Sequence, residues 1–153
     1  MAYTNVISLS EAKTFLRVDD GFTADDSLIT TIINVAGELI EKHTSHLLYS
    51  RSKTYKFFGD EVRVYNYPIN SVTSPDEADM DIEERSLYTV YTSSEDELVL
   101  NVGYDDPADV PAMLKLKMLE LVDSMYHGND DSAITNVSED FYASIAEFRR
   151  FTL

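Results

Sequence analysis

Apolar positions recur every three to four residues along residues 104–128, and this is the clearest helical stripe in the chain. Leu114, Met118, Leu121, Val122 and Met125 fall on one face, while Lys117, Glu120, Asp123, Ser124 and His127 fall on the other. The spacing predicts a helix with one side in a core. Both of its ends are marked. Asp109 is placed to cap it, Pro111 falls in the first turn where a missing N–H costs nothing, and Gly128 stops it. Met113 and Leu116 land on the polar side, which fits either ordinary exposure or a contact with another subunit.

Upstream, Ser8-Leu9-Ser10-Glu11 spells a capping box, with Ile7 and Ala12 placed for a hydrophobic staple. The short helix that follows is expected to bury Ala12, Phe15 and Leu16. It should end near Val18, because Asp19-Asp20-Gly21 is turn chemistry. Asp25 or Asp26 then caps a longer helix with Leu28, Ile29, Ile32, Ile33, Ala36, Leu39, Ile40 and Leu47 on its inner face. Both helices need a partner, and the stripe of the long helix is the obvious one.

From about residue 49 the period falls to two. Ser52, Thr54, Lys56 and Phe58 alternate with Arg51, Lys53, Tyr55 and Phe57, and Val62 to Tyr65 resumes after Gly59-Asp60, which reads as a β-hairpin. Pro68 ends regular pairing. Residues 76–84 form an acidic loop, unstructured or edge-like. Two more strands, Leu87 to Thr92 and Leu98 to Val102, are joined by the polar turn at residues 93–97. After the long helix, residues 129–136 are polar and expected to be mobile. A last amphipathic helix from about Ser138 places Phe141, Tyr142, Ile145 and Phe148 on one face ahead of Arg149-Arg150-Phe151. The fold class is therefore α+β: a mainly helical bundle of two N-terminal helices, one long helix and one C-terminal helix, with a small antiparallel sheet inserted at about residues 49–102. Residues 1–128 read as one globular domain and 129–153 as a linker with a docking helix.

Charge changes the picture most. The chain carries 28 acidic against 12 basic residues, a formal net charge of −16. Such a surface repels phosphate backbones and anionic lipid, though it does not exclude a protein that lets DNA pass without gripping it. Ten Tyr and seven Phe supply too many core formers for an acidic disordered chain. The absence of cysteine removes disulfides, thiolate metal sites and a cysteine nucleophile. The first residues have neither a basic region nor an apolar run, so no signal peptide is expected, and no apolar stretch approaches the roughly 20 residues that span a bilayer.

Candidate chemistry is sparse. His43 and His46 lie three residues apart, a spacing that can bring two imidazoles to a metal, but no third ligand is evident; cations at a helix C-terminus explain them as well as they explain His127. The acidic segments lack the EF-hand spacing. Asp105-Asp106 suit helix capping better than acid–base work. No P-loop, dinucleotide fingerprint, G-x-S-x-G or H-E-x-x-H occurs, and Asn136-Val137-Ser138 matters only in a secreted protein. We expect no catalytic residue, no metal and no cofactor. The end, Phe148-Arg149-Arg150-Phe151-Thr152-Leu153, is built for an interface, where arginine and aromatic residues are favoured. A helix folded back on its own core is the other reading.

The order of these elements resembles the head-tail connector, or head-completion adaptor, family of tailed bacteriophages. The resemblance is carried by residues 7–13 with Phe15-Leu16-Arg17-Val18-Asp19, by Asp25-Asp26 with Leu28-Ile29, and by Pro68 with Ile69, Ser71 and Val72. It continues through Val102-Gly103-Tyr104 leading to Val110-Pro111 and the long helix, and ends on Phe148-Arg149-Arg150. The resemblance implies a structural virion protein that forms a homo-oligomeric ring of twelve copies under the portal. It would extend the DNA exit tunnel and join the capsid to the next neck or tail-completion protein, with no membrane involved. It implies a place in the virion neck, reached from the host cytoplasm during assembly, and a C-terminal segment that engages the portal. On that basis Phe141, Tyr142, Ile145, Phe148, Arg149, Arg150, Phe151 and Leu153 are the expected portal interface, and Met113 and Leu116 the expected subunit interface. Two other readings stand beside it: an acidic DNA mimic that occupies a DNA-binding partner, which needs carboxylates spaced like phosphates, and a small hydrolase, which needs a closed polar pocket.

Overall fold

The computed structural model describes residues 3–128 and 139–148. Helix α1 (Leu9–Leu16) starts as the sequence spells it: the Ser8 hydroxyl accepts from the Glu11 N–H, and the Glu11 carboxylate accepts from the Ser8 N–H at 2.7 Å. The Ser8 hydroxyl also donates to the Glu11 carboxylate at 2.7 Å, and this bond first, then the one from the Ser8 N–H, holds the Glu11 carboxyl below its ordinary value of 4.5. A depressed carboxyl adds stability above its unfolded value and loses it as pH falls through the folded one. Ser8→Ala is therefore expected to cost ~1 kcal/mol near neutrality, and the gap to the wild type should narrow below about pH 4.5, as read by urea titrations on either side of that value.

Ala12 and Leu16 are buried as expected, but Phe15 is exposed and Lys13 turns inward instead. The Lys13 ammonium meets an Asp26 carboxylate oxygen at 2.5 Å and the carbonyls of Asp20 and Phe22 at 3.2 and 2.8 Å. Two carbonyl acceptors and one carboxylate counter-charge let the stem cross the core edge, and they pin the loop between α1 and α2. Arg17, at φ 60°, ends α1 short of the expected Val18.

Helix α2 (Asp26–Thr44) buries Ile29, Ile32, Ile33, Ala36 and Ile40 in one stripe, while Leu28, expected inside, is exposed. Asp25 precedes it without a side-chain capping bond; its carboxylate accepts from the Tyr126 hydroxyl at 2.7 Å, tying the start of α2 to the end of α3. Helix α3 (Ala112–His127) buries Leu114, Met118, Leu121 and Val122 against that stripe. Asp109 does not cap it. Asp106 opens a separate 3₁₀ turn (Pro107–Asp109) by accepting from the Ala108 N–H, and Pro111, at ψ 130°, holds the chain extended until Ala112. The first residues add a layer the periodicity did not reveal. A 3₁₀ turn (Tyr3–Asn5) buries Tyr3, Val6 and Ile7, with the Tyr3 ring against Gly37 so closely that a Cβ there would lie 2.3 Å from it.

The insertion is two three-stranded antiparallel sheets rather than one. Strands β1 (Arg51–Lys56), β6 (Glu97–Val102) and β3 (Ile69–Ser74) form the first, with β6 in the centre; β2 (Glu61–Val64), β5 (Thr89–Thr92) and β4 (Asp81–Glu84) form the second, with β5 in the centre. The expected hairpin exists only as a Phe58–Glu61 bridge around Gly59. Past it β1 leaves to pair with β6, Arg51 opposite Val102 and Lys56 opposite Glu97. Likewise β5 and β6, adjacent in sequence, enter different sheets. Val62, Val64, Tyr91, Leu98, Leu100 and Val102 from both sheets close on a single core with Leu47. The acidic segment is the exposed edge strand β4, preceded by a 3₁₀ turn (Glu77–Asp79).

The two halves meet where Leu47 donates to the Tyr67 carbonyl at 2.8 Å, Gly103 to that of Pro68 at 2.8 Å and Tyr104 to that of Leu47 at 3.1 Å. Helix α4 (Glu139–Ser144) and a 3₁₀ turn (Ala146–Phe148) lie against the helical core, where Ile145 is buried and Phe141 and Phe148 are half-buried.

Candidate functional site

At the seam between the halves, the buried Glu41 carboxylate of α2 gathers three elements. It accepts from the Tyr3 hydroxyl at 2.9 Å, from the Leu48 N–H at 2.8 Å and from the Arg51 guanidinium at 2.5 and 3.3 Å. Arg51 in turn lies 4.6 Å over the Tyr49 ring. Burial and then the Glu41 charge push the Tyr3 hydroxyl above its ordinary range. Burial opposes the Arg51 cation, yet its bonds to Glu41 leave it held more strongly than usual. Sequence periodicity missed this site; its only signal was an acid at a buried position of the α2 stripe.

His46 does not face a metal position. Its Nδ1 lies 2.9 Å from the Tyr104 hydroxyl, and its ring stands 5.1 Å from Tyr67 and 5.8 Å from Phe148. His127 sits with Asp123 at 2.9 Å. Among the described residues no three acidic or imidazole side chains are grouped to hold a metal, and no helix is long and apolar enough to cross a membrane.

What the chain offers outward is a set of faces. Met113 and Leu116, one turn apart on α3, are 43% and 42% exposed beside the Lys117–Glu120 ion pair at 2.7 Å. Phe58 tips the β1–β2 bridge at 89% exposure. Six carboxylates crowd residues 76–84. Of the C-terminal set, Ile145 is 1% exposed and Phe141 and Phe148 pack on the helical core. The Tyr142 side chain and Arg149, Arg150, Phe151 and Leu153 lie outside the described residues, as does the segment 129–136.

Met113 and Leu116 on α3 and Phe58 at the β1–β2 bridge are thus the exposed apolar positions among the candidate contact faces. The family model described as phage gp6-like head-tail connector protein matches residues 6–147, and the chain belongs to that family, as the sequence resemblance led us to expect. Its fold is also that of solved particle necks. A chain in the neck of an empty gene transfer agent particle computed with C6 symmetry superposes with a TM-score of 0.76 at 18% identity, covering 97% of this chain and 91% of the other. A chain in the virion of a native gene transfer agent particle gives 0.76 at 17%, covering 100% and 94%. A chain in the native neck computed with C12 symmetry gives 0.72 at 17%, covering 99% and 92%. No curated protein matches the chain.

Proposed function

We propose that this chain is a neck adaptor that assembles as a ring of twelve copies under the portal, extends the DNA exit tunnel and joins the head to the next neck or tail-completion protein. The observation that carries this reading is the head-tail connector match along residues 6–147. Supporting it, chains of the same fold stand in necks computed with sixfold and twelvefold symmetry. The charge of −16 also suits a conduit, because an acidic wall repels the phosphate backbone and a basic one would hold it through many contacts. Free subunits of like charge also repel one another until a portal recruits them. The working place is the virion neck, with assembly in the host cytoplasm. Met113 and Leu116 supply the apolar contact between neighbouring copies.

The portal contact falls to the C-terminal set, Phe141, Tyr142, Ile145, Phe148, Arg149, Arg150, Phe151 and Leu153. Because Ile145, Phe141 and Phe148 already serve the chain's own core, residues 149–153 carry most of the docking. A chain ending at Phe148 is expected to keep its circular dichroism and melting behaviour yet lose affinity for portal-bearing heads by at least about tenfold, whereas Leu116→Asp with Met113→Asp should let single copies bind without closing a ring. Electron microscopy of necks reads both. Full attachment by the shortened chain assigns docking to another face, and intact rings of the double variant remove α3 from the subunit contact.

A further inference from the structure

The charges of this acidic chain are not spread evenly over its strands. Strand β1, Arg-Ser-Lys-Thr-Tyr-Lys, holds 3 of the 12 basic residues and no carboxylate, whereas β4, Asp-Ile-Glu-Glu, holds three carboxylates and no cation. Each is also an edge. Among the described residues β1 pairs only with β6 and β4 only with β5, so both leave one side of the backbone without a strand partner.

The two edges face opposite ways. The Phe58–Glu61 bridge joins β1 to β2, which puts those two strands on one side of the β half. On the other side β3 and β4 line a common cavity through Ile69, Val72, Ile82 and Glu84. With β6 and β5 at the centres of their sheets, β1 and β4 therefore stand at opposite flanks.

We propose that β1 of one copy lies edge to edge against β4 of the next, so that the basic strand and the acidic strand form a head-to-tail contact between subunits. This rests on the ring reading above, and it adds to the apolar contact on α3 a charged one that sets direction.

Charged side chains on an edge ordinarily keep the strands of separate molecules apart. Here that guard acts against two of the three possible pairings. Placing β1 against β1, or β4 against β4, sets like charges side by side, and only β1 against β4 sets unlike ones. Because the two flanks face apart, one neighbour cannot satisfy both of them. The contact must pass from copy to copy, and it is completed only when a ring closes.

The charges are available for it. Lys53 Nζ bonds the Asn66 amide oxygen at 2.8 Å rather than a carboxylate, and Lys56 reaches Glu97 at 3.9 Å with both side chains exposed. Arg51 is spent on Glu41. On β4, Arg85 holds Glu83 at 2.8 Å and leaves Asp81 and Glu84, both exposed, without an ion pair among the described residues. Two cations are thus matched by two carboxylates. Exposed pairs are weak singly, so the contact forms where copies are held side by side and not in dilute solution.

A carbodiimide, which joins a lysine to a carboxylate only where the two touch, tests the contact in full-length protein at roughly millimolar concentration. Covalently joined copies are expected in which Lys53 or Lys56 is coupled to Asp81 or Glu84, with Lys56–Glu97 coupling inside one chain as the control. Control coupling without any β1–β4 link overturns the proposal. On portal-bearing heads, Lys53→Glu/Lys56→Glu and Asp81→Lys/Glu84→Lys should each form at least about tenfold fewer closed rings than the wild type. An equimolar mixture of the two should restore them, because alternating copies then oppose unlike charges throughout and the average charge is unchanged. All four side chains are exposed, so both variants should melt as the wild type does. Rings unaffected by either variant, or a mixture as poor as its parts, would also overturn it. Should a variant fail to fold, the coupling result decides. A wild-type chain that never joins heads sinks the adaptor reading instead, while coupling in the free protein still decides the edge contact.

Discussion

Gly103→Ala is expected to leave little folded protein. At φ +107° the residue sits where side chains are strained, and a Cβ there would lie 2.1 Å from the Tyr49 carbonyl oxygen. A backbone oxygen cannot swing aside as a side chain can. Nor can Gly103 itself retreat: its N–H donates to the Pro68 carbonyl at 2.8 Å, and its own carbonyl accepts from the Asn70 side chain at 2.7 Å. With β6 on one side and Tyr104, bonded to Leu47, on the other, both flanks are fixed. We expect a loss of about 4 kcal/mol or more, a large share of the 5–15 kcal/mol that holds a domain of this size together. Urea denaturation of the purified variant measures it. A variant that folds with a loss under about 1 kcal/mol would show that the strand-to-helix crossing can shift, contrary to the bonds that frame it.

Removal of the Glu41 carboxylate is the other large effect. Glu41→Ala strands the buried Leu48 N–H and Tyr3 hydroxyl, and it leaves the Arg51 guanidinium over Tyr49 without its counter-charge. A fully buried pair broken this way costs 3–5 kcal/mol; Arg51 is 31% exposed and regains some water, so about 3 kcal/mol is expected. Glu41→Gln keeps the shape and can still accept from two donors, so it should cost roughly half as much. The double variant Glu41→Ala/Arg51→Ala discriminates: coupling predicts that it loses less than the two single losses added together, and strict additivity would mean the two side chains do not act as a unit.

How far the fold was legible follows from the range over which each signal acts. The Ser8 capping box and the stripes of α2 and α3 were readable because caps and helical faces are set by residues three and four apart. The exposure of Met113 and Leu116 was readable for the same reason, as breaks in a period. Strand partners were not. Gly59-Asp60 says that the chain reverses, but β1 spends its hydrogen bonds on β6, more than forty residues away, and no local feature names that partner. The exchange of Phe15 for Lys13 in the core of α1 has a similar origin: average preference puts the ring inside, yet two carbonyl acceptors from a loop that local pattern leaves unplaced, with the Asp26 carboxylate as counter-charge, hold the ammonium there. Asp109 looked like a cap until Asp106 and Pro107 formed a turn of their own. The family was legible only as an ordered resemblance along the chain, since helix caps and a Val-Pro pair carry no chemistry that fixes a spacing.

The route of the polypeptide from β6 through Gly103 toward α3 bears on where the molecule opens. Because β6 is flanked by β1 on one side and β3 on the other, it can leave its sheet only by giving up two ladders. Among the described residues β4 pairs on one side only, with β5, so it can part from its sheet by giving up one. Local opening is therefore expected at the outer edge of the second sheet before it reaches the strand that leads to α3.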